Sequence, residues 1–152
     1  YLKAGGLDES FFAHMEEIDL CWRVKLLGYK IYTVPQSSMY HLGGATLSAT
    51  ETRKTYLNFR NNLLMLYKNL PRKEGRRLLI IRRLLDTIAL ARYIVAGEWQ
   101  HARAVWLAHI HFRRERKRYR EQPLVNLLKE TPEGRRNIVV DYFIRRHHTY
   151  HA

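Results

Sequence analysis

Three stretches of helical periodicity, separated by residues that cannot continue a helix, set what this chain can build. Between about Glu51 and Asn69, the residues Tyr56, Phe59, Leu63, Leu66 and Leu70 fall on one helical face, and Pro71 ends the run. A second run, from Glu74 to about Gly97, is apolar on nearly all sides, with Arg76, Arg77, Arg82, Arg83 and Arg92 spread around it. A third, from Glu98, puts Trp99, Ala102, Trp106 and Ile110 on one face, then turns into Arg113 to Arg120, where six residues in eight are basic. No uninterrupted apolar run reaches the roughly 18 residues a membrane-spanning helix needs. At 152 residues the chain can bury one modest core, which predicts a single small domain with an appendage. Position 1 is Tyr and nothing ahead of the first motif resembles a signal peptide, so the stretch is expected to be a piece of something longer.

Ahead of these runs the pattern is mixed. Gly5-Gly6 opens a turn, and Asp8 to Phe12 reads as a short capped segment whose Phe11 and Phe12 seek a core. From Glu16 a helix is expected, with Ile18, Leu20, Cys21, Trp22, Val24 and Leu27 covering so much of its circumference that it should be largely buried, and Gly28 stops it. Tyr29 to Val34 is β-branched and aromatic and ends at Pro35, which predicts a strand. Gln36 to Thr50 is loop, centred on Gly43-Gly44. Beyond Pro123 a short helical stretch and a Pro132-Glu133-Gly134 turn lead to a segment from Asn137 to Arg146 that suits helix or strand. Cys21 is the only cysteine, so no internal disulfide forms, and it reads as a small core residue.

Charge divides the chain into two chemically different halves. Residues 1–70 carry 8 Lys or Arg against 6 acids, while residues 71–152 carry 19 against 8, so the net +13 is almost wholly C-terminal. Five of the 14 acids, Asp8, Glu9, Glu16, Glu17 and Asp19, lie within twelve residues. That places adjacent carboxylates at the mouth of a helix, where the dipole and unpaired backbone N–H groups fix them and keep them ionised. An ionised, positioned carboxylate is a competent general base for a hydroxyl nucleophile. Asp8 also suits a capping role, and Asp19 and Arg23, four apart, can simply pair. His14 lies beside the acids.

The string Gly5-Gly6-Leu7-Asp8-Glu9-Ser10-Phe11-Phe12, then Glu16-Glu17-Ile18-Asp19-Leu20-Cys21-Trp22-Arg23, then Gly28-Tyr29, Pro35 and His41 resembles the C-terminal half of bacterial family 2 glycosyltransferases of the rhamnosyltransferase-like kind. Their usual form is GGFDExFFxYxEDxDLxxRxxxxGYxxxxxPxxxxxH, and the match covers about residues 4–44. Arg60-Asn61-Asn62 looks like that family's recurrent Arg-Asn pair. The resemblance implies an α/β, GT-A (doubly wound) fold, present here only as a mostly helical C-terminal fragment: an acceptor and general-base part in 1–70 and a basic helical extension in 71–152. It implies inverting transfer from a nucleotide sugar to a hydroxyl of a glycan or lipid-linked saccharide. The family's base position is Glu17, with Glu where Asp is usual, which leaves the role open between Glu17 and Glu16. Asp8, Asp19 and Arg23 fall at acceptor-binding or site-supporting positions. His41 matches a His that completes the shell of a divalent metal, Mn²⁺ or Mg²⁺, begun by an upstream DxD. No DxD occurs in these 152 residues, so the piece is expected to be inactive alone, and UDP, GDP and dTDP sugars all remain open as donors.

The basic half has its own readings. Arginines scattered through apolar helices, two tryptophans and a basic cluster suit the headgroup zone of an anionic bilayer, which predicts a cytoplasmic protein peripheral to the inner face of the membrane. Nucleic acid is the weaker partner, since Tyr119 is the only aromatic inside the basic run. A solvated helical face or a contact in a homo-oligomer is the plain alternative. In the competing reading from another class, the chain is a non-catalytic basic helical module that binds an anionic membrane or nucleic acid, and its acidic motif is structural.

Overall fold

Pro71 does two jobs in the architecture. As the residue before proline, Leu70 is pushed to extended backbone (φ −111, ψ 146), which ends one helix; Pro71 itself caps the next. The computed structural model describes residues 1–40, 51–119, 121–131, 142, 145 and 146. Among them the helices are α1 (Glu16–Leu26), α2 (Thr52–Asn69), α3 (Arg72–Val95), α4 (Trp99–Glu115) and the single turn α5 (Leu127–Glu130). Three short 3-10 turns accompany them, at Leu2–Ala4, Glu9–Phe11 and Arg116–Arg118. The described chain is mostly helical and contains no strand.

Helix α2 is the centre of the bundle, with α4 and α3 packed along it and α1 against its C-terminal half. It buries Leu57, Arg60, Asn61, Leu63, Leu64, Met65 and Asn69. The core joins Leu63, Leu64 and Met65 to Phe11 from the N-terminal turn, Leu79 from α3 and Phe112 from α4, so it draws on both sides of residue 70. Helices α3 and α4 form a hairpin. Gly97 at φ 74 donates to Ile94 O and Glu98 donates to Tyr93 O, the paired bonds of a Schellman ending, which a left-handed glycine makes at no steric cost.

The structure corrects several sequence expectations. Tyr29 to Val34, read as a strand, forms no ladder and is exposed throughout, because no other extended segment among the described residues lies beside it to share its backbone hydrogen bonds. Helix α1 is not largely buried: Ile18 and Cys21 face out, and Asp19 is its one buried residue. On α4 the inward face is Ala102, Val105, Ala108 and Phe112, while Trp99 (66% exposed) and Trp106 (62%) face away. Small side chains let α4 approach α2 closely, and an indole cannot occupy that seam. Phe11 is wholly buried as expected, but Phe12 is exposed beneath the Arg53 guanidinium. Residues 41–50, with His41 and the Gly43-Gly44 loop, lie outside the described residues, as do Pro132-Glu133-Gly134 and most of the segment to Arg146.

Candidate functional site

The acidic motif is fastened to α2 through side chains rather than through apolar packing alone. Gly5 and Gly6 adopt φ 79 and 66, and the Arg23 guanidinium reaches back from α1 to donate to Ala4 O and, at 2.7 Å, to Gly6 O. Both glycines are needed at these angles, and a Cβ on Gly6 would also press on the Tyr1 ring at 3.3 Å. Asp8 then caps the 3-10 turn, accepting from Ser10 N at 3.1 Å. Its other oxygen accepts from Lys68 Nζ at 2.7 Å and from the Tyr119 hydroxyl at 2.8 Å.

Asp19 has no accessible surface and is fully occupied: Oδ1 accepts from Asn69 (2.7 Å), and Oδ2 from Lys68 (2.9 Å) and Arg23 (2.8 Å). Lys68 therefore joins Asp8 to Asp19, and Arg23 joins Asp19 to the glycine turn. Three residues singled out from the sequence, Asp8, Asp19 and Arg23, form one network whose bonding capacity is largely spent on holding the motif in place. Burial by itself would raise the Asp8 pKa, but the bonds from Lys68, Ser10 and Tyr119 outweigh it and hold the carboxyl well below its usual range. Tyr119 moves the other way, pushed up to about 12 by burial and by the Asp8 charge, with Ser10 opposing.

Between this network and α1 the backbone is strained. Phe12 sits at φ 63, ψ −57, at the centre of a γ-turn in which Ala13 N donates to Phe11 O at 2.8 Å; His14 (φ 69) and Met15 (φ 72) follow in the left-handed region. Three non-glycine residues at positive φ in four cost of order 1–3 kcal/mol each, and such a segment persists only where its surroundings over-determine it. Here α2 does so. Asn61 Nδ2 donates to Phe11 O (2.9 Å), Ala13 O (2.8 Å) and His14 O (2.8 Å). Arg60 donates to Ser10 O (2.7 Å) and Phe11 O (3.3 Å), and its Nε, bonded to Asn61 Oδ1 at 2.9 Å, fixes the amide.

The strained turn delivers Glu16 and Glu17 as the first residues of α1. Glu17 is exposed, and Glu16 is half-buried with Oε2 enclosed and without a hydrogen-bond partner. Burial first, and then the Glu17 charge beside it, raise the Glu16 pKa; its own backbone N–H and His14 pull partly back. The two candidate bases thus stand outside the Asp8–Lys68–Asp19–Arg23 network, one open to a reactant and the other made more basic by its neighbour.

Lys68, Asn69, Asn61, Arg60 and Tyr119 belong to the site but were not assigned to it from sequence. Only the Arg60-Asn61-Asn62 string gave a signal. The expected metal ligand His41 lies outside the described residues, and among the described residues no group of three His, Cys, Asp or Glu could hold a metal ion. Among those residues, too, no helix is long and apolar enough to cross a membrane. No protein-family model, curated protein or solved structure matches the chain.

Proposed function

We propose that this chain carries the acceptor side of an inverting, nucleotide-sugar-dependent glycosyltransferase of family 2, in which a carboxylate at the start of α1 is the general base. The observation that carries the reading is the α2 clamp: Arg60 and Asn61 spend five hydrogen bonds holding a strained turn whose one product is the placement of Glu16 and Glu17. Strain maintained at that cost is what a site that must position a group requires. Glu17, the exposed member, takes the proton of the acceptor hydroxyl. The freed oxygen forms its bond to the anomeric carbon as the bond to the nucleoside diphosphate breaks on the opposite face, which inverts the centre. Glu16, half-buried beside Glu17, has its own pKa pushed up by burial and by the Glu17 charge. Asp8, Asp19 and Arg23 are positioning residues in this scheme.

The GT-A sheet, the DxD and the donor site belong, in this reading, to sequence outside these residues, with a divalent metal held there and His41 as its further ligand. The basic helices sit on an anionic membrane surface beside a lipid-linked or polymeric acceptor. What favours this is α3, whose Ile80, Ile81, Leu84, Ile88 and Val95 are exposed along one face, with Lys73 and Arg77 at its N-terminal end.

In the full-length protein, Glu17→Gln is expected to cut sugar transfer by roughly 100-fold or more while leaving donor binding within a factor of about two. Glu16→Gln should retain most of the transfer. Full turnover in Glu17→Gln would refute the assignment of the base.

A further inference from the structure

Where the start of α3 meets the turn after α4, positive charge gathers that no acid among the described residues pairs with. A cleft of about 350 Å³ opens there, lined by Tyr67, Arg72, Arg76, Arg116, Lys117 and Gln122. Among the described residues none of its four cations forms an ion pair. The acids next to them in sequence are turned elsewhere: Glu74 to Lys129 at 3.1 Å, Glu115 to Arg60 at 3.5 Å. The accumulated charge is felt by the adjoining Arg83, whose pKa is lowered first by burial and then by Arg113 and Arg116.

The walls of the cleft are already ordered. Arg116 lies over the Tyr67 and Phe112 rings, Tyr67 and Phe112 meet edge to face, and Gln122 Nε2 donates to Tyr67 O at 2.9 Å. Arg72 opens α3 just after Pro71, so the positive end of the helix dipole adds to the potential. Holding several guanidinium and ammonium groups around one small space costs Coulomb energy unless an anion joins them, and guanidinium forks match phosphoryl oxygens.

We propose that this cleft binds a phosphoryl group of high charge, of the diphosphate class. The assignment stands on these residues alone and is read by binding, so it survives or fails independently of glycosyl transfer. A diphosphate can reach the cleft as a soluble ester or as the headgroup of a lipid carrier.

The test titrates inorganic pyrophosphate into the full-length protein by calorimetry at physiological ionic strength. Arg72→Gln with Lys117→Gln is the test variant, since neither side chain supports the core, and Arg103→Gln with Lys30→Gln removes the same charge elsewhere. We expect the cleft variant to weaken pyrophosphate binding roughly tenfold or more and the control to change it less than about twofold. Equal losses in the two variants, or no binding by the parent protein, would overturn the proposal. Flotation with phosphatidylglycerol vesicles, with and without a polyprenyl diphosphate, separates the sources. Added retention that pyrophosphate competes away supports the lipid carrier, and pyrophosphate binding without added retention supports a soluble ester.

Discussion

Glu16 and Asp8 are both partly buried carboxylates near the start of the chain, yet their surroundings drive them in opposite directions. Asp8 has Lys68 and Tyr119 to donate to it, and Glu16 is left with the cost of burial and with Glu17 to repel it. Because folding raises the Glu16 pKa above its ordinary value of 4.5, folding favours the protonated acid. Its contribution to stability is therefore present below that value and is lost as pH rises through the folded-state pKa. Glu16→Gln, which cannot ionise, should melt at a higher temperature than the parent at pH 7, with the gain disappearing as pH falls below about 4. Melting followed by circular dichroism across that range checks it, and a variant no more stable at pH 7 would remove the electrostatic account of the pair. Local relations among these residues were legible in the sequence, because an Asx cap and an i, i+4 ion pair involve near neighbours: Asp8 does cap its turn, and Asp19 does pair with Arg23. The bonds that assemble the site were not legible. Tyr119 reaches Asp8 across 111 positions and Lys68 reaches Asp19 across 49, and no periodicity carries information over such spans.

Helix α2 acts as a splint for everything N-terminal to it. Its Asn61 amide, wholly buried, is the main restraint on the turn from Phe11 to Met15. Replacing it with alanine leaves the Ala13 and His14 carbonyl oxygens short of a donor, while Phe11 O keeps Ala13 N and Arg60, and lets the three positive-φ residues relax. Asn61→Ala should therefore cost about 3 kcal/mol in urea denaturation. It should also increase hydrogen exchange in α1 more than in α3 or α4; a uniform change across the bundle would argue against the splint. The helices themselves were readable from their 3.6-residue period and their breakers: α2 and α3 begin and end, and α4 begins, within a few residues of where the pattern and Pro71, Gly97 and Glu98 place them. Periodicity does not say which face turns inward. On α4 the alanine face won over the tryptophan face because the closest approach to α2 decides the packing, and on α1 the apolar residues outnumber the surface available to cover them. Tyr29 to Val34 has strand composition without a strand partner among the described residues, and β structure needs a second segment in a way a helix does not.

At the level of the whole molecule, a net charge of +13 is combined with an unusual amount of exposed apolar surface on α3. Leu84, Ile88 and Val95 are each more than half exposed and share a stripe with Lys73 and Arg77, and α3 has only two acids, Glu74 and the buried Asp86. Asp86 is taken up by Arg82 and His109 behind the stripe. A second copy of this face would bring cations toward cations, since the one acid bordering the stripe, Glu74, is already paired with Lys129. An anionic bilayer supplies both what the cations lack and an apolar medium for the aliphatic groups. The chain should therefore sediment with phosphatidylglycerol vesicles and not with phosphatidylcholine, and the binding should weaken as salt screens the surface. Leu84→Glu with Ile88→Glu should lower vesicle partitioning roughly tenfold or more, since each side chain forfeits its own transfer energy of about 1.5–3 kcal/mol and adds a repelled charge. Both positions are outside the core, so the double variant should keep its helical circular dichroism. Partitioning that falls with salt but ignores the double variant would mean that charge alone holds the protein to lipid and that the α3 stripe faces another protein surface.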